Sequence, residues 1–102
     1  MVKLMVLYPR QEGGTFDMAY YRERHLPMTR RLLGDALKGL SIEQGVKAEP
    51  WPAPYEVICH LFFESVDAMG AALLANQPAL AADIPNYTNT TAVFQVSHVV
   101  EG

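Results

Sequence analysis

Apolar positions along the chain switch between a two-residue and a three-to-four-residue period, and the switches mark out the elements. Residues 2–8, VKLMVLY, read as a first strand, with Val2, Leu4, Val6 and Tyr8 on one side and Met5 and Leu7 on the other beside Lys3. A loop rich in Pro and Gly follows at 9–14. Thr15 is placed to cap a helix and Asp17 to sit in its first turn, where the helix dipole favours an acid. That helix runs to about Leu33, and Gly34 is a natural stop. Residues 36–49 read as an edge strand in which Leu40, Ile42 and Val46 alternate with Gly39, Ser41 and Glu43. PWPAP at 50–54 is a rigid turn, and YEVICHLFFE at 55–64 is the clearest strand of the chain. Ser65 caps a second helix over 66–76 with Asp67 in its first turn, and Pro78 begins a further short helix. A loop at 83–89 leads to a last strand at 91–100.

The order β-α-β-β-α-β predicts a ferredoxin-like α+β fold: one domain over residues 1–102, with a four-stranded antiparallel sheet and two helices on one face. Helices can cover only that face, so the other should be polar. It is not. Val57, Cys59, Leu61 and Phe63 alternate with Ile58, His60 and Phe62, and Phe94 and Val96 lie opposite Val93 and Val99. A sheet apolar on both faces calls for a second layer, most economically a twofold copy of the same chain, so a homodimer is expected.

The first helix, FDMAYYRERHLPMTRRLL, carries a proline in mid-course. At about 100° per residue, Met18, Tyr21, His25, Met28 and Leu32 share the face that should meet the sheet. Pro27 has no N–H for the Glu23 carbonyl, and its ring disfavours helical angles at Leu26, so a kink or break beside His25 is expected. Either Pro27 opens a restarted helix at little cost, or the kink makes a gap between helix and sheet that His25 lines.

Composition narrows the function classes. The net charge of −3 and the lack of a basic stripe argue against a nucleic-acid partner. MVKLMVLYP is too short for a membrane span, so no membrane partner is expected. Cys59 is the only cysteine, which rules out an internal disulfide and fits a cytoplasmic protein.

Tyr21-x-x-x-His25-x-Pro27 on the first helix, preceded by Phe16 and Tyr20, together with FFESVDAM and the closing Phe-x-Val strand, resembles the EthD family of the dimeric α+β barrel superfamily. The family is named for ethyl tert-butyl ether degradation. The resemblance covers essentially the whole chain. It implies a dimer whose sheets face each other as a barrel, and a pocket between helices and sheet into which His25 reaches. Superfamily relatives include cofactor-independent monooxygenases, cyclases, dehydratases and haem-degrading enzymes, and a shared fold does not select among them.

His25 is the leading candidate for chemistry, as a general base near neutral pH. Its bland alternative is a core histidine bonded to a backbone carbonyl, such as one freed by Pro27. Tyr21, Met28, Asn86 and Tyr87 are candidates for ligand contact, while Tyr20 reads as packing. His60 and His98 face either the pocket or a dimer interface, and parity alone does not decide. The histidines lack metal-site spacing, and no motif requires a cofactor. Three functions follow: an enzyme of oxidoreductase, cyclase or dehydratase type acting on a small apolar, aromatic or polyketide-like compound; a non-catalytic binding or accessory protein with the same pocket; and a haem-binding relative with His25 as axial ligand.

Overall fold

The computed structural model describes residues 1–102. Strands β1 (Val2–Pro9), β2 (Gly39–Gln44), β3 (Tyr55–Phe63) and β4 (Val93–His98) form one antiparallel sheet in the order β2-β3-β1-β4. Helical segments α1 (Met18–Tyr20), α2 (Leu26–Leu33) and α3 (Val66–Asp83) lie on one face. This is the ferredoxin-like arrangement that the element order predicts.

Register decides which side chains meet the helices. Val6 lies between Cys59 and Phe94, and Leu4 between Leu61 and Val96. Val2 and Tyr8 pair with Phe63 and Val57. On β1 and β3 this parity forms the core with Tyr21, Leu26, Leu33 and Met69 from the helices, while Phe94 and Val96 on β4 stay exposed. The opposite parity brings Met5 and Leu7 beside His60, Ile58 and Val93 on a face that no helix covers. The molecule is accordingly a slab of 38 × 33 × 19 Å.

The first helix departs from a plain α-helix in a way that answers the proline. Asp17, not Thr15, is the N-cap: its carboxylate accepts the Tyr20 N–H at 3.0 Å. Thr15 instead donates its own N–H to Asn89 Oδ1. Tyr21–His25 form a π-helical turn, in which the Leu26 N–H reaches the Tyr21 carbonyl, and Pro27 falls in the first turn of α2. The chain does not break there. His25 (φ −70°, ψ −49°) and Leu26 (φ −65°, ψ −42°) both keep helical angles. A π turn takes in one residue more than an α turn. The buried stripe beyond it therefore slips by one position, from the expected Met28 and Leu32 to Leu26, Thr29 and Leu33.

Other boundaries shift for local reasons. The edge strand is shorter than its alternation suggested: it ends at Gln44, Gly45 passes so close to β3 that a Cβ there would come within 2.3 Å of the Tyr55 carbonyl oxygen, and Val46 lies 77% exposed beyond it. The second helix runs unbroken through Pro78 to Asp83 rather than restarting. Pro78 leaves the Leu74 carbonyl without its helical donor, but Leu74 is 85% exposed and water can serve it. The expected loop at 83–89 contains a 3-10 turn, Ile84–Asn86, and a bridge from Thr88 to Phe16.

Candidate functional site

Between the sheet and the helices lies a cavity of about 290 Å³. Leu4, Val6, Cys59 and Leu61 form its floor, and Leu26, Leu73, Leu80 and Ile84 form its walls. Tyr8, Tyr21 and Tyr87 close one end together with His25. Gln77 and Phe94, the latter 59% exposed, stand where it opens. No Lys or Arg lines it.

The π turn aims Tyr21 and His25 at this space together. Their rings stack at 5.4 Å and 13°, and Tyr87 lies 4.7 Å from the His25 ring. His25 is 7% exposed and does not bond a backbone carbonyl through its ring. Its Nδ1 lies 2.9 Å from Asp83 Oδ2. The other carboxylate oxygen, Oδ1, accepts the Tyr20 hydroxyl at 2.6 Å and an Asn86 amide N–H at 2.9 Å. Burial alone would raise the Asp83 carboxyl. The hydrogen bonds from Tyr20, Asn86 and His25 outweigh it and hold the carboxyl below the usual range. In turn the Asp83 carboxylate raises the Tyr20 phenol.

An ionised carboxylate only accepts, so Nδ1 carries the proton between the two groups. In the neutral ring the lone pair then sits on Nε2. Among buried polar side-chain atoms only His60 Nδ1 lacks a partner, so the unbonded Nε2 of His25 is not sealed off, and the residue lines the cavity.

Around it the phenols stay neutral donors. Burial pushes Tyr8 up to about 12, and Tyr21 and Tyr87 are raised by burial as well. Tyr8 and Tyr87 share one hydrogen bond of 2.7 Å between their hydroxyls. Burial also raises the Cys59 thiol, which keeps it protonated and unreactive.

Of the residues singled out in the sequence, His25, Tyr21 and Tyr87 meet at the cavity. Asn86 stands behind it as a clamp on Asp83. Met28 is half-buried and off the cavity, displaced by the one-residue slip of the helix face. His60 points to the uncovered face, 9% exposed, with Nε2 2.9 Å from Glu43. His98 pairs with Val2 in register but is exposed at the β4 edge, away from the cavity. Tyr20 does more than pack, since it bonds Asp83. Asp83 was not singled out at all. One physical signal was available: an acid in the last turn of a helix sits against the dipole, so it needs a compensating partner.

These features define a ferredoxin-like α+β protein with an apolar cavity and a carboxylate–histidine pair at its end. The chain belongs to the EthD family: the EthD domain model matches residues 15–91. An EthD-like protein from Ralstonia eutropha JMP134 is 35% identical with a TM-score of 0.90, over 98% of this chain and 92% of that one. A dimeric ferredoxin-like protein of unknown function from Thermobifida fusca YX shares the fold at 12% identity and a TM-score of 0.62, over 96% of this chain and 90% of that one. An antibiotic-biosynthesis-monooxygenase-like protein from Deinococcus radiodurans does so at 14% identity and a TM-score of 0.59, over 99% and 93%. No curated protein matches the chain significantly. No helix is long and apolar enough to cross a membrane.

Proposed function

We propose that the cavity binds a small apolar or aromatic compound and that His25 acts on it as a general base, in cofactor-independent chemistry of the oxygenation, cyclisation or dehydration kind. One observation carries this reading. A histidine with Nδ1 held by a carboxylate keeps its Nε2 lone pair free at the end of an otherwise apolar cavity. The likeness to a monooxygenase-like protein is one of fold and selects neither reaction nor substrate.

The test uses 2-tetralone, an apolar bicyclic ketone with acidic C–H bonds, in deuterated buffer. The protein should speed deuterium uptake, and His25→Ala should abolish the acceleration while the ketone still binds. Binding without acceleration would make the protein a carrier. No binding of 2-tetralone or other small aromatics would sink the reading.

The same reading includes a homodimer formed through the uncovered sheet face. A folded monomer of 11.3 kDa should expose about 5,700 Å². This chain exposes 6518 Å², an excess of about 800 Å², which is the area one partner gives up in an ordinary interface. Light scattering should give twice 11.3 kDa, and Phe62→Lys, on that face, should return the monomer.

A further inference from the structure

We infer that the cavity selects a neutral compound with a hydroxyl donor, a phenol or an enol, on an otherwise apolar body, and that Asp83 sets this choice by fixing which nitrogen of His25 faces the ligand. The inference rests on the cavity reading above and names the ligand chemistry of that site.

Polar atoms at the cavity are few, and most are already engaged. The Tyr8 and Tyr87 hydroxyls bond each other at 2.7 Å. The Thr29 hydroxyl donates to the His25 carbonyl at 2.9 Å. Gln77 stands at the exposed rim. Two inner polar groups are left open, the Tyr21 hydroxyl and His25 Nε2, and the role of Nε2 is decided 2.9 Å away on the other side of the ring. Asp83 accepts three hydrogen bonds and is ionised, so the ring donates through Nδ1. Nε2 is then an acceptor that needs a donor.

Charge narrows the class further. A carboxylate or phosphate ligand would find no Lys or Arg in the lining, and it would face the negative Asp83 across the ring. A ketone or ether can accept from the Tyr21 hydroxyl but leaves Nε2 without a donor, so it binds more weakly than a matching alcohol. A neutral O–H satisfies both conditions. The volume of about 290 Å³, at the low end for ligand cavities, suits a body of one or two rings.

The experiment compares 2-naphthol with 2-methoxynaphthalene by calorimetry on the full chain. The pair differs by one donor hydrogen and one methyl group. Wild type should bind the naphthol about tenfold tighter, the worth of one hydrogen bond to an otherwise unpaired acceptor. In Asp83→Asn an amide N–H can face Nδ1, which moves the ring proton to Nε2, so the naphthol advantage should fall to about twofold or less. Ring ¹⁵N shifts should show His25 protonated at Nδ1 in wild type and at Nε2 in the variant. Equal wild-type binding of the two compounds would overturn the inference and leave the cavity reading intact. Binding of neither would overturn both. A ring protonated at Nε2 in wild type would overturn the role given to Asp83 without any ligand present.

Discussion

Replacing Asp83 by alanine tests whether the carboxylate holds the site together. The change removes one acceptor from three donors: Tyr20 Oη–H at 2.6 Å, Asn86 N–H at 2.9 Å and His25 Nδ1–H at 2.9 Å. The three losses are unequal. Asn86 is exposed and Tyr20 half-buried, so water replaces the carboxylate for both. His25 is buried, and its Nδ1 is left without a partner, at a cost of about 1–3 kcal/mol. Against this, alanine relieves an acid at a helix C-terminus, worth about 0.3–1 kcal/mol. The net expectation is a loss of about 1–2 kcal/mol. In urea, with a slope near 1–2 kcal/mol per molar, the midpoint should fall by roughly 1 M with the slope unchanged. Wild type and variant are compared at equal protein concentration, since dimerisation would shift both. A midpoint that stays or rises would show that His25 does not depend on Asp83, and the account of the site would fail.

Three further outcomes are expected. The Asp83 carboxyl is depressed in the folded chain, so it stabilises fully above its unfolded value of 3.8, and that contribution is lost as pH falls through its lower folded value; urea midpoints of wild type and Asp83→Asn should therefore converge in strong acid and separate toward neutrality. For the Tyr8–Tyr87 hydroxyl pair, either single change to phenylalanine should cost about 1–2 kcal/mol by stranding the other hydroxyl, and the double change less than the sum, so an additive cycle would refute the pairing. Gly45→Ala puts a Cβ 2.3 Å from the Tyr55 carbonyl oxygen and should destabilise by about 1–3 kcal/mol, read from thermal melting, whereas Gly70→Ala, in open space on α3, should stabilise.

The strand assignments were legible because β1 and β3 carry dense apolar runs whose parity survives in the register, Val6 against Cys59 and Leu4 against Leu61. The uncovered apolar face was legible for the same reason. Of the two readings of Pro27, the one that opens a new helical segment at little cost fits its place in the first turn of α2, although a π turn and not a break leads into it. Pro78 was misjudged: it was expected to begin a helix, but α3 runs through it, with the carbonyl it frees exposed. Periodicity assumes a uniform helix, so it placed Met28 on the buried stripe and missed Thr29. His25 and Tyr21 were found because they bound the π turn, and the slip in phase shows only beyond His25. The pairing of His25 with Asp83 spans 58 residues between separate helices, and no local spacing encodes it. His60 and His98 could not be oriented, because parity within a strand says nothing about which side its neighbours face.

The π turn has a consequence for how much a single helix can present. On a regular helix the stripe through Tyr21 and His25 continues at 28 and 32, while the stripe through Leu26 continues at Thr29 and Leu33. The two are out of phase, and a straight rod would have to bury one and expose part of the other. One surplus residue between Tyr21 and Leu26 brings both stripes round to the sheet. The upstream half is then free to serve the cavity while the downstream half anchors the rod. A helix one residue shorter in that turn would gain an ordinary backbone ladder and lose the ability to do both at once.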